Sequence, residues 1–496
     1  MNQRDTSFIL RWVSLLFLFA ALVLTAIELT TYSRTRSNYP AGMSIAGIPI
    51  GEVDSAIAAQ RLLQVYSSPV ELRYADAVIH LDPQVAGFTL DTESMIAAAD
   101  LQRTGAEFWS GFWNYLWNNE ALAGDIPLRA TISEDRLRAY LKNEIASRYD
   151  QPATPAQPIP GETNFAPGTP GQELDIDRAV ILISDALRSP ANRVVALTSI
   201  RTQPGRPTIQ NLQTQIQQVI DSENFDGIVG FYMLDLQNGQ ELHFGYRDGA
   251  SIPVSEVDIA FSASSTIKVP ILVSAYHYLG PEIDSGISAL ILNMIATSEN
   301  TTADAVLRAI NEVRAPLMVS EDMSKLGLEN TFLGAFFYLG APPLQVYNTP
   351  ANERVDAFTD PDVLNQTTPS DMGSLLADLY QCAESNGGAL VAAYPDRINQ
   401  RACKEMIGYL KRDKIGVLLE AGLPEETPIA HKHGWVQDAA GKITDMSDAA
   451  IIYTPGGDYA LTMYITHPIQ IVFDQGNRLF AKISQAVYNY HNFTSQ

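Results

Sequence analysis

From Phe8 to Tyr32 the chain is apolar, interrupted only by Arg11 near the start and Glu28 near the end. A helix needs about 20 apolar residues to cross the hydrocarbon of a bilayer, so this stretch is long enough, and charges near its ends reach the headgroups. No small-x-small cleavage site follows it, Glu28-Leu29-Thr30-Thr31-Tyr32 being a poor substitute. The expectation is an uncleaved anchor at residues 8–32 behind a cytoplasmic tail at residues 1–7, with a cleaved signal peptide as the competing reading. Arg4 and Arg11 are balanced by Arg34 and Arg36, so flanking charge alone does not set the orientation. The remainder is too long for one core in a chain of 496 residues, and its 46% hydrophobic content is that of a globular protein.

A net charge of −23 argues against nucleic acid or an anionic membrane surface as partner, since no basic patch is dense enough to neutralise phosphates. There is no HExxH, no Cys/His cluster of zinc spacing and no phosphate-binding loop, so neither a metal nor any other cofactor is implied. The absence of a G-x-S-x-G elbow disfavours an α/β-hydrolase. Cys382 and Cys403 lie between two helical stretches, where either a bridge formed in an oxidising compartment or two buried thiols would fit.

Residues 33–206 read as a separate α+β region. Val70–Tyr74 and Ala77–Leu81 alternate as strands, and helical patterns cover Val53–Tyr66 and Thr92–Leu101. Gly87-Phe88-Thr89-Leu90-Asp91 and Gly171-Gln172-Glu173-Leu174-Asp175 each place an aspartate to cap a following helix, a faint internal echo. Trp109, Trp113 and Trp117 recur at helical spacing; such a stripe could stack on sugars or sit at a membrane interface, and the favoured expectation is that it faces a core. The run Gln151–Pro170 carries six prolines and reads as an extended surface loop or spacer. A break at Thr202-Gln203-Pro204-Gly205-Arg206-Pro207 separates this region from residues 207–496.

The second region carries the chemistry. Ser265-Thr266-Ile267-Lys268, Ser298-Glu299-Asn300 and Lys432-His433-Gly434 follow one another along the chain. A serine hydroxyl is a poor nucleophile near neutral pH and needs a neighbouring base. Positions three apart on a helix share a face, which brings the Lys268 amine beside Ser265. A lysine withdrawn from water and crowded by a second ammonium, here Lys432, loses its proton more readily. A nucleophile in the first turn of a helix also has free N–H groups nearby to stabilise a developing oxyanion. Pro270 counts slightly against the helix, since it removes one donor. Taken singly, Lys268 reads as a snorkelling lysine, Ser298 as a helix cap and Lys432 as a solvated strand residue. Their joint order, together with Thr367-Thr368-Pro369, favours a site. The histidines show no base or ligand constellation, and structural roles are expected for them.

From about residue 207 onward the sequence resembles the penicillin-recognising serine hydrolases, closest to the class A β-lactamase fold. The resemblance rests on residues 263–268, 295–303, 367–372 and 431–435. It implies an α+β domain, an antiparallel sheet with a helical subdomain, in which Ser265 is the nucleophile and Lys268 its base or proton relay. Ser298 would pass a proton to the leaving nitrogen, and Asn300 would orient substrate and Lys268. Lys432 would hold the substrate carboxylate and support Ser298, with His433 and Gly434 lining the site and the Ser265 and Trp435 N–H groups forming the oxyanion hole. Gly42 through Asp100 resembles peptidoglycan-binding modules of other exported proteins.

Departures from the family pattern matter. His433 stands where a threonine or serine is usual, and an imidazole N–H in that place would reshape the pocket. Phe336 or Phe337 falls where the class A family has the glutamate that activates water for deacylation, and Glu353 is the nearby replacement candidate. The expected protein is thus a membrane-anchored, extracytoplasmic hydrolase of β-lactam amides that acylates on Ser265. A D-Ala-D-Ala carboxypeptidase or transpeptidase, and a non-catalytic wall-binding or penicillin-sensing protein, are the alternatives. Its partners would be a β-lactam or a peptidoglycan stem peptide, the wall polymer, and the membrane through the N-terminal helix.

Overall fold

A computed structural model describes residues 3–105, 107–117, 124–280, 282–438 and 440–494. The chain forms two compact units, the first made of residues 1–153 and 170–203, the second of residues 154–169 and 204–496.

The first unit opens with α1 (Gln3–Thr35). Its segment Leu10–Thr35 is apolar and long enough to cross a membrane and is not buried in the protein. A membrane span and a signal sequence share this composition. Of the tail expected at residues 1–7, the first two lie outside the described residues and the rest begin α1. The globular part contains α2 (Ser55–Tyr66), α3 (Thr92–Thr104), α4 (Phe108–Leu116) and α5 (Ile176–Arg188). The strands β1 (Val70–Tyr74) and β2 (Ala77–Leu81) pair antiparallel, and β3 (Val194–Ala196) adds parallel to β1. Leu62, Val70, Leu72, Ile183 and Leu187 are fully buried in their core. Both aspartates of the internal echo cap helices as read: Asp91 Oδ1 accepts from Ser94 N at 3.1 Å and Asp175 Oδ1 from Arg178 N at 2.9 Å.

Two expectations are corrected. The tryptophan stripe does not face a core: Trp109, Trp113 and Trp117 are 63%, 59% and 75% exposed, and it is Phe112 that α4 buries. The proline-rich segment is no free spacer, because residues 154–169 belong to the second unit. There Gln157–Pro158 and Phe165–Ala166 pair as short strands, and Phe165 is buried beside Tyr490 and Phe493. Gln215 Nε2 donates to the carbonyls of Ile159 and Glu162, and Asn489 Nδ2 to that of Thr163.

The second unit is built on a six-stranded antiparallel sheet. In chain order its strands are β4 (Ile228–Asp235), β5 (Glu241–Arg247), β6 (Ala250–Ile252), β7 (Ile429–Gln437), β8 (Ile443–Ile452) and β9 (Tyr459–Ile471). Their spatial order is β6-β5-β4-β9-β8-β7, so both ends of the unit feed one sheet and β7 is an edge. Side chains alternate across the sheet. Phe231, Met233 and Phe244 face a layer made by α6 (Ile209–Ser222) and α11 (Phe473–His491). Ala430, Ala449 and Tyr464 face the helical subdomain, which includes α7 (Lys268–Leu279), α8 (Asn300–Ile310), α9 (Pro369–Ser385) and α10 (Gln400–Leu410).

Cys382 on α9 and Cys403 on α10 form a disulfide across a sequence separation of 21 residues. A loop of this size stabilises the folded unit by about 3 kcal/mol on the chain-entropy account. The bridge joins two helices that are also tied by the Gln400 amide, whose Nε2 donates to Glu384 O at 3.1 Å.

Candidate active site

Ser265 lies in a 3₁₀ turn, Ser264–Ile267, that leads straight into α7, whose first residue is Lys268. Pro270 is therefore in the first turn of the α-helix, where the missing N–H has no helical partner to lose, which removes the objection raised from sequence. Thr266 fixes the turn, its hydroxyl donating to Ala263 O at 2.6 Å and meeting the Tyr464 hydroxyl at 2.9 Å. Both serines that flank the chemistry sit at left-handed backbone positions: Ser264 has φ 52° and Ser298 has φ 58°. Such conformations cost non-glycine residues energy and persist only where the surroundings enforce them. Ser298 is not the cap of α8, a position taken by Glu299.

Lys268 is fully buried and gathers the other groups around its amine. Nζ lies 3.1 Å from Ser265 Oγ, 3.3 Å from Ser298 Oγ, 2.6 Å from Ser298 O and 2.9 Å from Asn300 Oδ1. Burial first, and then the ammonium of Lys432, lower its pKa to about 7 against the pull of Asp413, Asp304 and Glu299. Near neutral pH this amine is therefore divided between its neutral and charged forms, as a general base requires.

Gly434 on β7 faces the nucleophile so closely that a Cβ there would lie 2.7 Å from Ser265 N and 2.8 Å from Ser264 Cβ. Only glycine lets the strand approach. Lys432 and His433, on the same strand, are both buried. Lys432 Nζ donates to Asp413 Oδ2 at 3.2 Å, and no hydrogen bond joins it to Ser298. Burial lowers the Lys432 pKa, with Asp413 opposing the shift. Trp435 lies at the rim, 37% exposed, its ring stacked on His433 at 5.0 Å.

Sequence reading missed Asp413, around which the two histidines beside Lys432 pack. Asp413 Oδ2 accepts from His433 Nδ1 at 2.7 Å and from His433 N at 3.1 Å as well as from Lys432. His431 Nδ1 meets Asp448 Oδ1 at 2.9 Å, and its Nε2 contacts Asp413 O at 2.5 Å. Burial opposes protonation of His431, but Asp448, Asp413 and Glu420 together raise its pKa to about 9. These side chains form a buried ionic network behind Lys432. Asp413 precedes β7 across a turn-rich stretch with no motif of its own, and only the adjacency of two histidines to Lys432 hinted at a carboxylate partner.

Glu353 is not brought to the site. It is exposed, and no hydrogen bond or ion pair connects its carboxylate with Ser265 or Lys268. The ring of Phe337 lies over the Lys268 amine instead, with its centroid 5.7 Å from Nζ. The Phe337 N–H donates to Asp304 Oδ1 at 2.8 Å, which pins the loop in that position. Among the described residues no carboxylate hydrogen-bonds either Ser265 Oγ or Lys268 Nζ.

Residues 275–491 match the Beta-lactamase enzyme family. The match begins after Ser265 and Lys268 and takes in Ser298, Asn300 and Lys432. The antiparallel sheet with its helical subdomain is the class A β-lactamase-like fold. Solved structures similar to the chain include PBP-A, 21% identical over 58% of this chain and 97% of that one, with a TM-score of 0.41. A PBP-A mutant described as an acyl-enzyme complex with penicillin G is 22% identical over 58% of this chain and 98% of that one, at a TM-score of 0.40. A class A beta-lactamase from Bacteroides cellulosilyticus is 16% identical over 57% and 98%, at a TM-score of 0.41. Comparison with curated proteins gives no match.

The neutral Lys268 amine is the reactive form, so acylation is expected to rise with pH through about 7 and then level off. Below that point each pH unit should slow it about tenfold. Pre-steady-state acylation rates measured against pH check this, and a profile flat from pH 5 to 8 would exclude Lys268 as the base.

Proposed function

We propose that the protein is a membrane-anchored serine acyltransferring hydrolase whose catalytic unit works outside the cytoplasm and forms a persistent acyl-enzyme on Ser265. The 3.1 Å contact between Lys268 Nζ and Ser265 Oγ, inside a buried pocket, carries this reading. Neutral Lys268 takes the proton of Ser265 as Oγ attacks the carbonyl carbon of a strained or peptide amide. The oxyanion falls to the N–H groups of Ser265 and Trp435. Ser298, within 3.3 Å of the Lys268 amine, returns that proton to the departing nitrogen as the C–N bond breaks. Lys432, held by Asp413 together with His433, presents positive potential and its ammonium donors to a substrate carboxylate.

The same geometry supports slow release. Hydrolysis of the ester needs a base within reach of a water, and the place beside Lys268 is filled by the Phe337 ring. We therefore place the activity with penicillin-binding acylation of β-lactams and of D-Ala-D-Ala-ended stem peptides, and fast β-lactam hydrolysis second. The anchor is α1, retained as a single span.

Incubation with a fluorescent penicillin, followed by peptide mapping, should find one adduct, on the peptide carrying Ser265, that survives gel electrophoresis. An unlabelled protein would defeat the acylation reading. Rapid nitrocefin turnover with no accumulated adduct would defeat only the persistence of the ester and restore the β-lactamase reading.

A further inference from the structure

The helix α4 contains no charged residue, and neither does the following Trp117. It buries Phe112 and turns Trp109, Trp113 and Trp117 to the outside. Tryptophans present 150–250 Å² each, so three at this exposure form an apolar surface of roughly 300 Å² or more, larger than water-facing surfaces usually carry. What lies under α4 shows what should cover it. The ring of Tyr32, in the last turns of α1, touches Phe108, Phe112 and Tyr115 with centroids 5.5, 5.5 and 5.3 Å apart. The Tyr115 hydroxyl donates to Glu28 Oε2 at 3.3 Å.

These contacts set a depth. About 20 residues of helix fill the hydrocarbon of a bilayer, so a span that starts near Leu10 leaves it near Leu29. Glu28 and Tyr32 then stand at the far interface, the level at which tryptophan and tyrosine concentrate. A glutamate there gains from a hydroxyl donor, which Tyr115 supplies. The basic groups agree with this level: the Arg36 guanidinium lies over the Phe108 ring at 5.2 Å, and Arg103 Nη1 donates to the carbonyls of Arg36 and Ser37 at 2.8 and 2.9 Å.

We propose that α4 is an interfacial helix that lies in the headgroup region of the same bilayer that α1 crosses, with Trp109, Trp113 and Trp117 inserted among the lipids. The helix and the span then form one two-point membrane attachment, joined through Tyr32 and Glu28. This proposal rests on α1 being retained as a span and is independent of the chemistry at Ser265.

The test uses the full chain carrying Trp12→Phe, which removes the tryptophan inside the span. After reconstitution into phosphatidylcholine nanodiscs whose acyl chains are brominated near the headgroup, indole emission should fall about twofold or more relative to unbrominated discs. Trp109→Phe, Trp113→Phe and Trp117→Phe introduced together should abolish that quenching, leaving Trp435 alone. Protein that enters the discs but keeps its emission, and is quenched by aqueous acrylamide, would overturn the proposal. So would protection of the indoles from acrylamide by soluble muropeptide, which would make α4 a sugar platform. Chain that fails to co-elute with the discs would overturn the span itself and the proposal with it.

Discussion

Lys268→Met is expected to slow acylation of Ser265 by about 10²–10⁴-fold, the range that a positioned general base contributes. Among the described residues the amine is the one group hydrogen-bonded to both Ser265 Oγ and Ser298 Oγ, so its loss cuts the proton path at both ends. Methionine fills a comparable apolar volume and leaves no ionisable group in the pocket. Loss of the amine leaves Ser298 O and Asn300 Oδ1 without their donor, but it also removes the repulsion between two buried ammonium groups. Thermal stability should therefore fall little while chemistry falls steeply. Labelling time courses with a fluorescent penicillin, run beside melting curves, measure both. A variant that labels at the parent rate would show that another group deprotonates the serine.

Phe337→Glu should act on the other half of the reaction and raise the rate of ester hydrolysis on the order of 10²-fold. The side chain at this position already lies against the Lys268 amine, and its backbone is held by Asp304, so a carboxylate placed there would share the pocket with the acyl carbonyl. An anion beside Lys268 favours the ammonium form, so the midpoint of the acylation profile should also move above 7. Two readouts are thus linked, a shorter adduct lifetime by mass spectrometry and an alkaline shift in acylation. An adduct as long-lived as that of the parent would mean that something other than a missing base protects the ester.

Much of this site was legible because its parts are local. Ser265 and Lys268 are three residues apart on a helical turn, so spacing pairs them, and Ser298 with Asn300 form a second short segment whose place beside them followed from the resemblance. The strands β1 and β2 of the first unit could be read in the same way from alternation. Asp413 could not be read so, because its partners Lys432 and His433 lie across a loop and a strand, and no pattern marks a single buried aspartate. Glu353 was chosen by distance along the chain, which says nothing about where an exposed turn points. The tryptophans of α4 exposed a different limit: helical periodicity identifies an apolar face but does not tell whether protein or lipid receives it.

The segment 154–169 has a consequence for how the protein divides. The backbone enters the hydrolase unit, leaves it at Pro170 and returns at Pro204. Cutting at residue 207 would strip away the strand that holds Phe165 against Tyr490 and Phe493 and would leave the Gln215 amide without its carbonyl acceptors. The two units are thus stitched together by their own thread, and neither can be lifted out at a single seam.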